Sequence, residues 1–219
     1  MCDTILEHMA IREKIKEIKH LRNRYFICVL ENPTDIMNIA ATIRNVSAFG
    51  VEKLYVIGGV DVVKDFEFSR KNKRLTSLSV GSNKWVFVKY FNTTAECIAH
   101  LRKNLYTIAV TSSHNKDKEN INLYEGEFTQ RRLSVWFGNE SRGISVEALN
   151  EADMCIQIPM GGIVESLNLG TSAGIVLSYV GYQRLRFAYS HEKVKFKSKG
   201  ESIEKMKSWE SFLGFNKKS

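Results

Sequence analysis

The chain of 219 residues reads as an α/β protein: a parallel sheet flanked by helices. Two observations carry that expectation. One is a strand–helix–strand unit of about 30 residues, with strands over Tyr25–Leu30 and Lys53–Ile57 around a helix over Ile36–Phe49. The other is a pair of short apolar runs, Leu133–Phe137 and Met154–Ile158, each ending in a glycine-bearing polar loop. Parallel strands need a long, usually helical crossover, and that crossover is right-handed. In such sheets ligands bind outside the carboxyl ends of the strands, so the two glycine loops mark the expected site.

In chain order, Thr4–Arg24 predicts an amphipathic helix. Ile5, Met9, Arg12, Ile15, Ile18 and Leu21 lie roughly on one face, and Arg12, Lys14, Lys16, Lys19, Arg22 and Arg24 make the other face and the end basic. After the first strand Pro33 suits a turn, and Asp35 or Thr34 caps the next helix. Its core stripe is Ile36, Ile39, Ile43 and Val46, and Gly50 closes it. Gly58-Gly59 follows the second strand without a GxGxxG pattern or an adjoining helix, which excludes the common dinucleotide loop and, with it, a nucleotide-dependent oxidoreductase. Lys64–Arg74 reads as a polar, basic loop, with Phe66 and Phe68 either facing RNA or pinning it to the core. Trp85–Tyr90 predicts a strand, Thr94–Asn104 a helix capped by Thr93 or Thr94, and Leu105–Val110 a strand ending at Thr111-Ser112-Ser113. His114–Gln130 is a long charged loop, a length usually tied to function. After Tyr189 the run HEKVKFKSKG alternates lysine with apolar residues, and Glu201–Phe212 predicts a short helix. The expected division is a basic helical extension over 1–24, a central domain over 25–188 and a basic extension over 189–219.

A hydrophobic fraction of 43% and a charged fraction of 26% are those of an ordinary soluble globular protein. No apolar run approaches the roughly 20 residues of a membrane span, and the N-terminus lacks a signal-peptide core. A cytoplasmic protein with no membrane partner is therefore expected. Cys2, Cys28, Cys97 and Cys155 form no CxxC pair; Cys28 and Cys155 fall within apolar strands and read as buried, reduced thiols. Five scattered histidines without HExxH argue against a structural zinc. The net charge of +8 favours a polyanionic partner, most often nucleic acid.

Several polar residues invite a role. Arg44 emerges from small neighbours one turn away, Ala40, Ala41, Ser47 and Ala48, so either a large anion or another subunit can approach it, or the small residues serve helix packing. Asn38 and Asn45 share a helix face, where amides bind phosphate or ribose or else face water. Glu140 and Arg142 are placed to pair as a loop clasp. Ser166 and Asn168 suit a helix N-cap, Asn168 the more naturally.

Together these stretches resemble a family. ENPTDIMNIAATIRNVSAFGV is similar to the first motif of the SpoU (TrmH-type) RNA 2′-O-methyltransferases of the SPOUT superfamily, WFGNESRG with IQIPMGG to the second, and VESLNLGTSAGI to the third. The motifs keep the family's order from about Tyr25 to Arg186. The resemblance implies a C-terminal trefoil knot, a homodimer, and S-adenosylmethionine held by Thr111, Gly138, Ile158 and Leu167, largely through backbone atoms. Arg44 matches the family's proposed catalytic arginine, with Asn38, Glu140, Ser166 and Asn168 around it. The implied reaction methylates a ribose 2′-hydroxyl in structured RNA. The short N-terminal extension looks more like the enzymes acting on a D-loop guanosine of tRNA than those acting on ribosomal RNA. A non-catalytic RNA-binding protein of this fold is the competing class. Leu169-Gly170-Thr171 departs from the family pattern, and Gly170 costs roughly 1 kcal/mol against alanine early in a helix, which predicts a looser pocket wall.

Overall fold

The computed structural model describes residues 21–59, 66–112 and 120–199. Its elements run β1 (Asn23–Glu31), α1 (Ile36–Ala48), β2 (Val51–Ile57), α2 (Phe66–Lys71), α3 (Lys73–Leu78), β3 (Phe87–Phe91), α4 (Thr94–Lys103), β4 (Thr107–Thr111), β5 (Asn120–Asn122), β6 (Leu133–Phe137), α5 (Val146–Glu151), β7 (Met154–Gln157) and α6 (Leu169–Lys199), with a 3-10 turn at Ser82–Lys84. The strands form one seven-stranded sheet in the order β3-β2-β1-β6-β4-β7-β5. All of its pairings are parallel.

The expected first crossover forms because each local signal agrees. The Asp35 carboxylate accepts from the Met37 N–H at 2.8 Å and starts α1. Ile36, Ile39, Ile43 and Val46 are buried along its inner stripe, and Gly50, at φ 68°, turns the chain into β2. Fully burying an isoleucine is worth about 1.5–3 kcal/mol, so this stripe outweighs the modest helix propensity of its β-branched residues. One face of the sheet packs against α1, α3 and α6 through residues such as Ile39, Leu75 and Leu177. The other packs against α4 and α5 through Cys97, Leu101, Ala148 and Ala152. The result is a helix–sheet–helix sandwich.

Several expectations need correction. Asn23 and Arg24 belong to β1, not to the preceding helix; the rest of Thr4–Arg24 lies largely outside the described residues. The described part of Lys64–Arg74 is helical, not a loop. Asn72 caps α3 by accepting from the Leu75 N–H, and buried Asn83 donates to the Ser69 carbonyl and to Thr76 Oγ1. Polar bonding, not apolar periodicity, holds this corner. Trp85 lies outside β3, and Leu105, at φ 58°, lies in the turn before β4. Within the long loop, Asn120–Asn122 adds the edge strand β5. The stretch between Gly143 and Met154 contains the short helix α5, capped by Ser145. No break follows Tyr189, because α6 runs on to Lys199. The expected helix over Glu201–Phe212 lies outside the described residues, as does Cys2.

Contacts group the chain into two units, Asn23–Gln183 and the paired end segments Met1–Arg22 with Arg184–Ser219. In the second, buried Leu185 and Tyr189 pack with Leu21 and Ala188. Cys28, Cys97 and Cys155 are free and buried, and burial pushes the Cys28 and Cys97 thiols up, which keeps them protonated. Among the described residues no helix is long and apolar enough to cross a membrane.

Candidate functional site

The carboxyl ends of β4, β6 and β7 open into a cavity of about 520 Å³, within the ordinary range for a small-molecule pocket. Thr111 leaves β4, Phe137 and Gly138 leave β6, and Ile156 and Ile158 leave β7 to line it. Ile144, Leu149, Met160 and Leu167 supply apolar wall, and Glu140, Glu165 and Ser166 supply polar wall. Thr111, Gly138, Ile158 and Leu167, the four positions implied for the cofactor, thus all border one space.

The wall at residues 138–145 is held shut by its own backbone. Asn139 and Gly143 exchange two N–H to O bonds of 2.9 Å. The Asn139 side chain accepts from the Ser141 and Arg142 N–H groups at 2.9 and 3.0 Å, and donates to the Asn32 carbonyl at 2.6 Å. A Cβ on Gly138 would lie 2.1 Å from the Gly143 carbonyl carbon, so only glycine permits this closure. Below the loop, Glu31 at the end of β1 is 1% exposed. Its carboxylate accepts from Thr94 Oγ1 at 2.5 Å, Ser145 Oγ at 2.6 Å and the Ser145 N–H at 2.9 Å. A buried carboxyl group with three hydrogen-bond partners is satisfied, and it joins β1, α4 and the start of α5.

A chain of side-chain bonds crosses the mouth of the cavity. Glu140 Oε2 accepts from the Thr34 N–H at 3.1 Å and from Thr34 Oγ1 at 2.8 Å, while Oε1 accepts from Asn38 Nδ2 at 2.9 Å. Asn38 Oδ1 accepts in turn from Asn168 Nδ2 at 2.8 Å. Asn168 Oδ1 accepts from the Thr171 N–H at 3.2 Å, the N-cap geometry expected of it. Partial burial alone would raise the Glu140 pKa, but bonds from Asn38, from its own backbone and from Thr34 outweigh it and hold the carboxyl below its ordinary value. Glu140 is therefore ionised at neutral pH and already engaged on both oxygens.

This geometry revises two readings. Asn38 is 7% exposed and spends its amide on Glu140 and Asn168, while Asn45 donates to the Gly170 carbonyl at 2.8 Å; neither amide faces water. Glu140 pairs with Thr34 and Asn38, not with Arg142. Asn38, Glu140 and Asn168 come together; Glu140 and Ser166 line the cavity, whereas Asn38, Asn168 and exposed Arg44 do not. Glu31 was not singled out from sequence, and Thr34 was read only as a possible helix cap. Their signal was position: each is a polar residue at or just past a strand's carboxyl end.

Gly170 is the departure that the structure explains. A Cβ there would meet Ala41 Cβ at 2.9 Å, and one on Gly174 would meet Asn45 Nδ2 at 3.2 Å. The two glycines, one turn apart, let α6 lie close against Ala41 and Asn45 of α1. The contact is with α1, and Gly170 itself is not one of the residues that line the cavity.

The chain matches the SpoU rRNA Methylase family over residues 25–178. It is 30% identical over 197 residues to the tRNA (guanosine(18)-2′-O)-methyltransferase of Borreliella burgdorferi, spanning 85% of this chain and 83% of that one. In fold it is similar to the crystal structure of the A. aeolicus TrmH/SpoU tRNA modifying enzyme, with a TM-score of 0.65, 25% identity, and 94% and 96% of the two chains covered. It also shares the fold of the SpoU methyltransferase AviRb from Streptomyces viridochromogenes, solved in complex with AdoMet, with a TM-score of 0.64, 23% identity, and 75% and 62% covered. With its three ordered motifs joined through Glu140, Asn38 and Asn168, the chain belongs to the SpoU rRNA methylase family.

Proposed function

We propose that the protein transfers the methyl group of S-adenosylmethionine to the 2′-hydroxyl of a guanosine in the D-loop of tRNA, acting as a cytoplasmic homodimer. The observation that carries this reading is the bonded chain Thr34–Glu140–Asn38–Asn168, which joins all three motifs at the mouth of the cavity. The tRNA substrate is supported by the activity of the Borreliella burgdorferi relative, and the cofactor by the AviRb complex.

The cavity suits that cofactor. Its volume is adequate, its walls are mixed, and the Gly138–Gly143 closure leaves backbone donors and acceptors near the space without intervening side chains. Thr111, Gly138, Ile158 and Leu167 would hold it. The cofactor supplies a sulfonium methyl already activated for transfer. With that group bound, the protein's own residues would align the ribose 2′-oxygen towards the methyl, with the hydroxyl proton passing to solvent as the neutral thioether is released. Arginine stays protonated far above neutral pH, so Arg44 acts by clamping a substrate phosphate and stabilising the developing alkoxide. Asn38, Glu140 and Asn168 fix the cavity mouth, and Ser166 contributes a hydroxyl to it. Arg44 lies off the lining of its own chain's cavity, which fits a role at the cavity of the second subunit.

A C-terminal trefoil knot fits the same reading. Residues 123–128 return from β5 towards β6 against α6, where Tyr179 Oη donates to the Tyr124 carbonyl at 2.9 Å and Gln183 Nε2 to the Gly126 carbonyl at 2.9 Å. The segment after β7 thus lies against the connection that precedes β6. Arg44→Ala should abolish methyl transfer to a tRNA transcript while leaving S-adenosylmethionine affinity, read by calorimetry, nearly intact. Normal transfer by that variant would remove Arg44 from the mechanism, and no cofactor binding by the parent would sink the enzymatic reading.

A further inference from the structure

Along β1–β3 and the end of α4, away from the residues that line the cavity, cations and aromatic rings lie near one another. Lys53 of β2 stands beside Phe87 of β3 in register, and Tyr55 beside Lys89. Lys89 Nζ lies 3.3 Å from His100 Nδ1 and 4.8 Å from the Phe91 ring centre. Burial lowers the His100 pKa, and Lys89, Lys53 and Lys103 lower it further, so a neutral imidazole sits among three ammonium groups. Beyond Lys103, the Asn104 carbonyl accepts from Arg132. The Arg132 guanidinium lies 5.5 Å from the Tyr25 ring centre, on β1 next to β2. Tyr25 and Phe87 are 45% and 43% exposed.

Ordinary structural needs account for part of this face only. A lysine on an edge strand discourages pairing with other chains, and cations at a helix C-terminus offset its partial negative charge. Those arguments cover Lys89 on β3 and Lys103 on α4. They leave Lys53 on an inner strand, Arg132 before another, and the half-exposed ring of Tyr25. Among the described residues no carboxylate pairs with Lys53, Lys89, Lys103 or Arg132; it is the neighbouring Arg102 that Asp153 neutralises, at 2.6 Å.

We propose that this face is a second RNA-contact surface, separate from the transfer site. It holds an unpaired stretch of the substrate RNA, with phosphates among Lys53, Lys89, Lys103 and Arg132 and bases against Tyr25 and Phe87. The proposal rests on the RNA reading above. Cations interleaved with exposed aromatic faces fit single strands, whose bases are free to stack, better than duplex, whose bases are not. A membrane surface would call for a continuous apolar area, which two separated rings do not make.

The test measures binding of an unmodified tRNA transcript, and of an oligouridylate of about a dozen nucleotides, across a salt series. The variants are Lys53→Gln/Lys89→Gln/Lys103→Gln and Tyr25→Ala/Phe87→Ala, with the triple Lys→Arg variant as the charge-preserving control. Single-strand contacts contribute about 0.7 to the log–log salt slope per phosphate. The Lys→Gln variant should therefore lose about 2 from that slope and about tenfold or more in affinity at low salt, with a raised KM for tRNA, an unchanged kcat and unchanged S-adenosylmethionine binding. The aromatic variant should weaken oligouridylate binding without altering the slope, and Lys→Arg should restore the parent's behaviour. Parental affinity and slope in both loss variants would overturn the proposal and leave the methyltransferase reading standing. A parent that binds RNA through this face yet methylates no tRNA would defeat that reading and not this one. A parent that binds neither RNA would overturn both, and binding of phosphatidylserine vesicles in place of RNA, lost in the Lys→Gln variant, would overturn the assignment to RNA.

Discussion

Glu140 shows how one side chain can act through its neighbours. Its carboxylate holds Thr34 and Asn38, and those bonds exist in this form only while it is ionised. Its folded pKa lies below the ordinary 4.5, so the unfolded chain binds its proton more readily. The resulting stability is fully present above that ordinary value and is lost as pH falls through the lower, folded one. Glu140→Gln removes the term and places an amide donor against two donors. The melting temperature of Glu140→Gln should lie below the parent's at neutral pH, with the gap narrowing below pH 4.5. A gap that stays constant into acid would show that the carboxylate's charge is not what holds the cavity mouth. The residue was visible in the sequence as part of WFGNESRG, but its partners lie 106 and 102 positions upstream, beyond any local pattern.

Elements tell a similar story. α1 was legible because cap, apolar stripe and closing glycine agree over 13 residues. The helices α2 and α3 were not, because their corner is organised by Asn72 and Asn83 and shows no apolar repeat. Short α5 hid for another reason: Val146, its most apolar residue, is 72% exposed, and only Ala148 is buried. In α6 the sequence misled, since Gly170 looked like a loss of helix propensity when it is a site of close approach to Ala41. Gly170→Val should therefore destabilise the protein by about 1–3 kcal/mol through overpacking, despite valine's better helix propensity. Urea unfolding measures this, and a stabilised variant would mean that α6 does not need its contact with α1.

At the scale of the molecule, local pattern predicted parallel strands but not their order. β6 lies between β1 and β4, although four strands and four helices intervene between β1 and β6 in the sequence; only the ordered motifs pointed to an architecture of that kind. If Arg44 serves the second subunit, function also has a length scale larger than one chain. Mixed dimers of Arg44→Ala and Gly138→Val, each inactive alone, should then regain methyl transfer. Random assortment makes half the dimers mixed, each with one intact composite site, so about a quarter of parental activity is expected. No recovery on mixing, read with labelled S-adenosylmethionine, would place Arg44 in its own chain's site.

The bond between Asn38 and Asn168 spans 130 positions, and this has a consequence for the protein's synthesis. When Asn38 leaves the ribosome, its partner has yet to be translated. The first βαβ unit has the local contacts to form early, whereas the cavity mouth must wait for the start of α6, a long-range closure that is slow by its topology. Nascent chains that stop before Asn168 can carry most of the sheet and still lack the completed mouth. Completion of the mouth is in this sense a record that translation has passed the start of α6.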